Sequence, residues 1–215
     1  MRNKFDQQLD HLNNEMIKMG KLCERVIGAA IKLTMESNHE ELKQDVLDID
    51  AEIDRKEREI EGICMKLLLR QQPVARDLRV VSSALKMISD MERIGDQASD
   101  IAELAYYIKK SNVKYKLHLN DMANEVIGMV TKSIDSFVNK DLDLAKSVIV
   151  YDDVVDNYFD EIKRNLISII AGGKEDGEEY LDILMIAKYL ERIGDHATNI
   201  AGWVEYSILG THGDR

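Results

Sequence analysis

Apolar residues recur along the first 33 positions at Phe5, Leu9, Leu12, Met16, Met19, Cys23, Val26, Ala30 and Leu33, in steps alternating four and three. That spacing holds one stripe on one side of an α-helix, the seam of a helix packed in a bundle. A second segment carries Val46, Ile49, Ile53, Ile60, Ile63 and Leu67, with Lys56 its one polar interruption. Pro73 ends it, because the residue before a proline is pushed out of the helical region. A third seam runs unbroken through Val80, Ala84, Met87, Met91, Ile94, Ala98, Ile101, Ala105 and Ile108, and a break at Ser111-Asn112 follows.

The second half repeats the plan. Ala123, Ile127, Val130, Ile134 and Phe137 mark a fourth helix; Leu144, Val148, Tyr151, Val155, Tyr158, Ile162 and Ile169 mark a fifth. The glycine-rich loop from Gly172 to Gly177 breaks it, and Ile183, Ile186, Leu190, Ile193, Ala197, Ile200 and Val204 mark a sixth. Identities repeat as well: Glu92-Arg93-Ile94-Gly95-Asp96 returns 99 residues later as Glu191-Arg192-Ile193-Gly194-Asp195, and Asp50 and Asp54 return as Asp152 and Asp156. The expected fold is therefore all-α, two similar three-helix bundles in tandem, residues 1–112 and 113–215.

Composition narrows the function. Across 215 residues, 40 Asp and Glu outnumber 29 Lys and Arg, a net charge of -11. A surface of that sign repels phosphate backbones and argues against a nucleic-acid partner. The N-terminus has no apolar core of the secretory kind, and no run approaches the length of a membrane span, so the expected location is the cytoplasm. Cys23 and Cys64 read as two reduced core thiols, since they form no disulfide or zinc framework.

The candidate chemistry lies in carboxylate pairs four residues apart: Asp50/Asp54, Glu92/Asp96, Asp152/Asp156 and Glu191/Asp195. Such a pair lies one turn apart on one helix face. A lone pair is commonly a solvated face, but four at equivalent places in a duplicated unit are harder to set aside. The pairs of the first half centre on 52 and 94, whose midpoint is Pro73; those of the second half meet in the Gly172-Gly173 loop. Each antiparallel hairpin therefore brings four carboxylates to one level, roughly 30 Å from its turn. Four oxygen donors suit magnesium, manganese or iron, and zinc less strictly, with Asp100 and Asn199 one turn further on to complete each shell. Against this, Arg55, Lys56, Arg93 and Arg192 are near enough in sequence to neutralise the same charges as surface ion pairs. The repeated Gly95 and Gly194 fit either close helix packing or clearance beside the carboxylates. The five histidines share no face, the lone Glu36/His39 spacing is half of what a di-iron centre needs, and no nucleophile and base stand together; the chain does not read as an enzyme.

The duplicated Glu-Arg-Ile-Gly-Asp, with Gln71-Gln72-Pro73-Val74-Ala75-Arg76-Asp77-Leu78-Arg79, resembles the signatures of the PhoU family of phosphate-specific transport accessory proteins, and the likeness runs from about Phe5 to about Leu209. The resemblance implies a cytoplasmic, non-enzymatic regulator, a homodimer or other oligomer that reaches the membrane through its partners. Those partners are the ATPase subunit of the phosphate transporter and a sensor histidine kinase, and the role is to restrain phosphate uptake and the phosphate-starvation response. It also implies metal ions, iron or zinc among others, on acidic motifs that fall here on the eight paired carboxylates.

Overall fold

A computed structural model of the chain describes residues 2–36, 39–106, 108, 113–172 and 177–211. The six segments are six long helices: α1 (Arg2–Leu33), α2 (His39–Gln71), α3 (Arg76–Ala105), α4 (Val113–Asn139), α5 (Leu142–Ala171) and α6 (Gly177–Leu209). Among the described residues there is no strand. The Ser111-Asn112 break and the division beside it, residues 173–176 of the glycine-rich loop, the side chain of His39, and His212 lie outside them.

The seams are where the core forms. Leu12, Met16, Met19, Cys23 and Val26 of α1, Met87, Met91 and Ile94 of α3, and Ile183, Ile186, Leu190 and Ile193 of α6 are fully enclosed. Each large apolar side chain taken from water contributes about 1.5–3 kcal/mol. Both cysteines are buried free thiols, and burial raises both pKa values, that of Cys64 to about 12. In α4 more is buried than the predicted seam: Leu119, Met122, Val126 and Met129 are also enclosed. The reason is position, since α4 packs against α1, α5 and α6 together.

Within each half the three helices pack pairwise, and the halves join along α3 on α6 and α1 on α4. At the second junction a methyl on Gly20 would collide with Ile134. The apolar side chains of both halves form one continuous core. Only α2 and α5 stay within their own trio, one on each flank.

The turns follow local chemistry. Pro73 stops α2 after Gln71, and the chain re-enters α3 through Gln72 and Ala75, non-glycine residues held at φ 44° and 47°. Such backbone costs on the order of 1–3 kcal/mol per residue and persists only where its surroundings impose it. Between α4 and α5 the turn places Lys140 at φ 55°, and the Asp141 carboxylate caps α5 by accepting from the Leu144 amide at 3.0 Å.

The interruption at Lys56 has a partner. Lys56 donates to Glu15 of α1 at 2.8 Å and to Glu59 at 2.6 Å, and the Glu15 side chain, 4% exposed, also accepts from Lys18 at 2.8 Å. Burial alone would raise the Glu15 carboxyl; the bonds from Lys18 and Lys56 outweigh it and hold its pKa below the ordinary value. The hydrogen bonds to Glu15 and Glu59 raise Lys56 in turn. Lys56 therefore ties α1 to α2, and does not neutralise the carboxylate pairs.

Candidate functional site

The predicted hairpin geometry holds: in each half the middle of the second helix faces the middle of the third, and the paired carboxylates share one face. Asp50 is half-buried between α2 and α3, where its Oδ2 accepts from Ser99 at 3.0 Å and its Oδ1 is enclosed with no hydrogen-bond partner. Burial raises its pKa, the Ser99 bond opposes this, and the charges of Asp96, Asp54 and Asp100 add to it. Glu92 is raised by burial, then by Asp96, Glu57 and Asp54, with Arg93 the opposing charge. The first face therefore gathers Asp50, Asp54, Glu92 and Asp96, and takes in Glu57 as a fifth carboxylate. Its cations stand at the rim: Arg58 lies 3.9 Å from Asp54.

The equivalent face of the second half is built from α5 and α6. Burial raises Asp152 to about 6, aided by the charges of Asp195, Asp156 and Glu191. Burial and the charge of Glu191 also raise Asp156 and Asp195, which the nearby Lys188 partly offsets. Lys188 is bonded to both oxygens of Glu191 at 2.5 Å. Its counterpart in the first half is Ser89, which donates weakly to Glu57 at 3.5 Å. Thr198 stands where Ser99 stands; its hydroxyl is near enough to ease Asp152 downward, yet Oγ1 is buried without closing a hydrogen bond.

The repeated glycine is explained by the helix opposite. A methyl on Gly95 would lie 2.5 Å from Asp50 Oδ1 and 3.2 Å from Ile53. On Gly194 it would lie 3.4 Å from Val155 and 3.5 Å from Asp152 Oδ1, ordinary contact distances. In the first half glycine clears space for a carboxylate, and in the second it only allows close packing.

Asp100 and Asn199 have a second role. Asp100 accepts from Tyr189 of α6, and burial and the charges of Glu103 and Asp96 raise its pKa, with Arg192 opposing. Asn199 donates to Asp90 of α3 at 3.3 Å, and His196 Nδ1 meets the same Asp90 oxygen at 2.9 Å. Positions 90 and 189 correspond in the repeat, as do 100 and 199, so one pair of positions is used twice across the antiparallel α3–α6 junction. Both residues stand at the joint between the halves, and Asp100 is also close enough to Asp50 and Asp96 for their charges to act on one another.

The chemistry of the first face suits a hard cation: its side-chain oxygens are all carboxylate, one buried oxygen lacks any partner, and the glycine opposite keeps the space before it open. The second face fits less well, because Lys188 already holds Glu191. As the side chains stand, no three His, Cys, Asp or Glu among the described residues converge at metal-holding geometry. Sequence reasoning missed Glu57, Ser99 and Lys188. Each is a single polar residue one turn from a motif, and only the packing of the hairpin shows that it faces the carboxylates.

A family model described as the PhoU domain matches the chain twice, over residues 16–105 and 119–204. The phosphate-specific transport system accessory protein PhoU homolog of Pseudomonas aeruginosa is 34% identical over 97% of this chain and 86% of its own. That of Clostridium acetobutylicum is also 34% identical, over 99% and 98%. A crystal structure of PhoU from Pseudomonas aeruginosa superposes with a TM-score of 0.88 at 34% identity, covering 96% of this chain and 100% of the other. The phosphate transport system regulatory protein PhoU from Streptococcus pneumoniae gives 0.89 at 25% identity, over 98% and 100%.

Proposed function

This chain belongs to the PhoU family, and we propose that it is a non-enzymatic cytoplasmic regulator that restrains phosphate uptake and the phosphate-starvation response. It works between the phosphate transporter's ATPase subunit and a sensor histidine kinase, as a homodimer. The family identity makes it an accessory protein of phosphate transport; among the described residues no helix is long and apolar enough to cross a membrane. The observation that carries the finer reading is the pair of acidic faces at equivalent places on a duplicated scaffold. They offer what an adaptor needs, two related docking surfaces of one sign, and Asp50, Asp54, Glu92 and Asp96 supply oxygen donors for a divalent or trivalent cation such as iron, manganese, magnesium or zinc. On the second face Asp152, Asp156, Glu191 and Asp195 do the same under competition from Lys188.

The test is a phosphate-starvation reporter in a deletion strain grown with ample phosphate. The strain is complemented with the wild type or with Asp50→Asn, Asp54→Asn, Glu92→Gln, Asp96→Asn combined. Derepression on deletion, repression by the wild type, and failure of the folded variant to restore it are the expected results. Full rescue by the variant removes the first face from the signal, and repression intact in the deletion strain removes the regulatory role.

A further inference from the structure

Exposed large apolar side chains concentrate at the two hairpin turns. At the α2–α3 turn Leu69 and Val74 are 73% and 74% exposed, with Leu78 beside them at 44%. At the α5–α6 turn the equivalent places hold Ile167, Ile170, Leu181 and Met185. The two turns lie at opposite ends of the molecule, since Arg79 at the start of α3 packs against Gly210 at the end of α6. Their charges are opposed. Residues 65–79 contain Lys66, Arg70, Arg76 and Arg79 against the single Asp77, in a chain whose net charge is -11. Lys66, Arg70 and Arg76 are exposed and form no ion pair with any described residue. The other turn is acidic, with Glu178, Glu179 and Asp182 at the start of α6.

We propose that the α2–α3 turn is a membrane-contact tip that inserts Leu69 and Val74 among the acyl chains of an anionic lipid surface while Lys66, Arg70 and Arg76 bind its headgroups. The charge favours an anionic partner. The shape favours a lipid surface over a peptide, because side chains three-quarters exposed on a projecting turn offer no groove to hold an extended or helical ligand. Aliphatic side chains ringed by lysine and arginine are what interfacial binding uses, with the long basic stems lying along the apolar surface and their charges in the headgroups. The backbone agrees. Gln72 and Ala75, both at positive φ, bracket Pro73 and Val74 and fix the turn outward. Outside residues 65–79 the chain carries a net charge of -14 and is on balance repelled by the same lipids, so contact at this tip also sets orientation. The carboxylate face, roughly 30 Å along the hairpin, is then held away from the bilayer and toward soluble partners. This places the protein on the membrane by its own residues, in addition to any hold through partners.

Flotation of the full chain with vesicles of phosphatidylcholine alone, and of phosphatidylcholine mixed with phosphatidylglycerol, decides it. Binding is expected only to the mixed vesicles and to weaken as salt is raised. Arg70→Glu with Arg76→Glu lowers partitioning at least about tenfold, since each basic residue near an anionic surface contributes roughly fivefold and two are removed. Leu69→Ser with Val74→Ser lowers it too, and Ile170→Ser with Leu181→Ser, at the acidic tip, leaves it unchanged. All six side chains are exposed, so the fold, checked by thermal melting, survives each change. No binding to mixed vesicles, binding undiminished in both basic-tip variants, or a changed oligomeric state in place of changed flotation each overturns the proposal.

Discussion

The two halves share a backbone plan but not an electrostatic one. On the first face, four motif carboxylates and Glu57 stand with no lysine among them, and a buried oxygen of Asp50 has no partner. On the second, Lys188 clasps Glu191 at 2.5 Å, and Thr198 takes the place of the serine that bonds Asp50. The halves also differ beneath the surface: Lys56 of α2 is locked to buried Glu15, whereas the corresponding Tyr158 of α5 packs on the core as a partly buried aromatic. Duplication preserved what packing demands, the seams and the glycines, and left polar positions free to diverge. A repeated motif is thus evidence for a repeated shape, and each copy's chemistry has to be read from its own neighbours.

The largest expected effect lies in that buried difference. Lys56→Met leaves Glu15 enclosed with Lys18 and the His11 ring as its remaining partners, and should cost about 3 kcal/mol in urea unfolding, because stranding one member of a buried pair is expensive. Adding Glu15→Leu should restore most of the loss, since an apolar pair of similar volume is close to neutral. If the single change costs nothing, the first half does not depend on the ion pair, and the contrast with Tyr158 is one of composition alone.

The glycines sharpen the comparison at the faces. Alanine in a helix is favoured over glycine by about 1 kcal/mol. Gly194→Ala meets only ordinary contacts and should realise most of that gain. At Gly95 the new methyl collides with Asp50 Oδ1 and crowds Ile53, so the same change should come out about 1–2 kcal/mol worse than at Gly194, the gain being offset by displacement of a half-buried carboxylate. Equal effects in thermal melts would remove the claim that the first glycine clears space for a charge.

The smallest effect is a pH dependence in the second half. Asp152 has its folded pKa raised from 3.8 to about 6. Between those values the folded chain holds a proton that the unfolded chain has released, so stability is greatest at the acid end and falls as pH rises through the window. In chelator-treated protein, Asp152→Asn should therefore be stabilising above pH 6. The gain is about 1 kcal/mol, less than the full shift would give because the site is partly open to solvent, and it should vanish near pH 4. A benefit that is the same at both pH values would show that the gain does not come from the ionisation of Asp152.

Much of this was legible in the sequence for a physical reason. The seams from Phe5 to Leu33 and from Val80 to Ile108 fix which side of each helix is buried, and equal distance from Pro73 fixes which carboxylates meet. What escaped was of two kinds. Glu15 is polar and sits beside the seam, so periodicity assigns it to solvent; only the approach of Lys56 from α2 makes it a buried partner. Arg55, Lys56, Arg93 and Arg192 stood in the sequence as possible neutralising charges; Arg93 does oppose the rise of Glu92, but long side chains choose among neighbours in three dimensions. Lys56 turned to α1, Arg192 reaches the junction beside Tyr189 and Asp100, and the lysine that does sit in a face is Lys188. The exposed Leu69 and Val74 were equally hidden, because a seam names the residues that are buried and says nothing of apolar residues left over at a turn.

The inequality of the two faces is tested most directly by titrating the chelator-treated protein with manganese and following free ion by its paramagnetic resonance signal. The comparison is between the wild type, a first-face variant (Asp50→Asn with Glu92→Gln) and a second-face variant (Asp152→Asn with Glu191→Gln). The expected result is that the tighter binding disappears with the first-face changes and survives the second-face changes. Tight binding that survives the first-face changes and is lost with the second would contradict it.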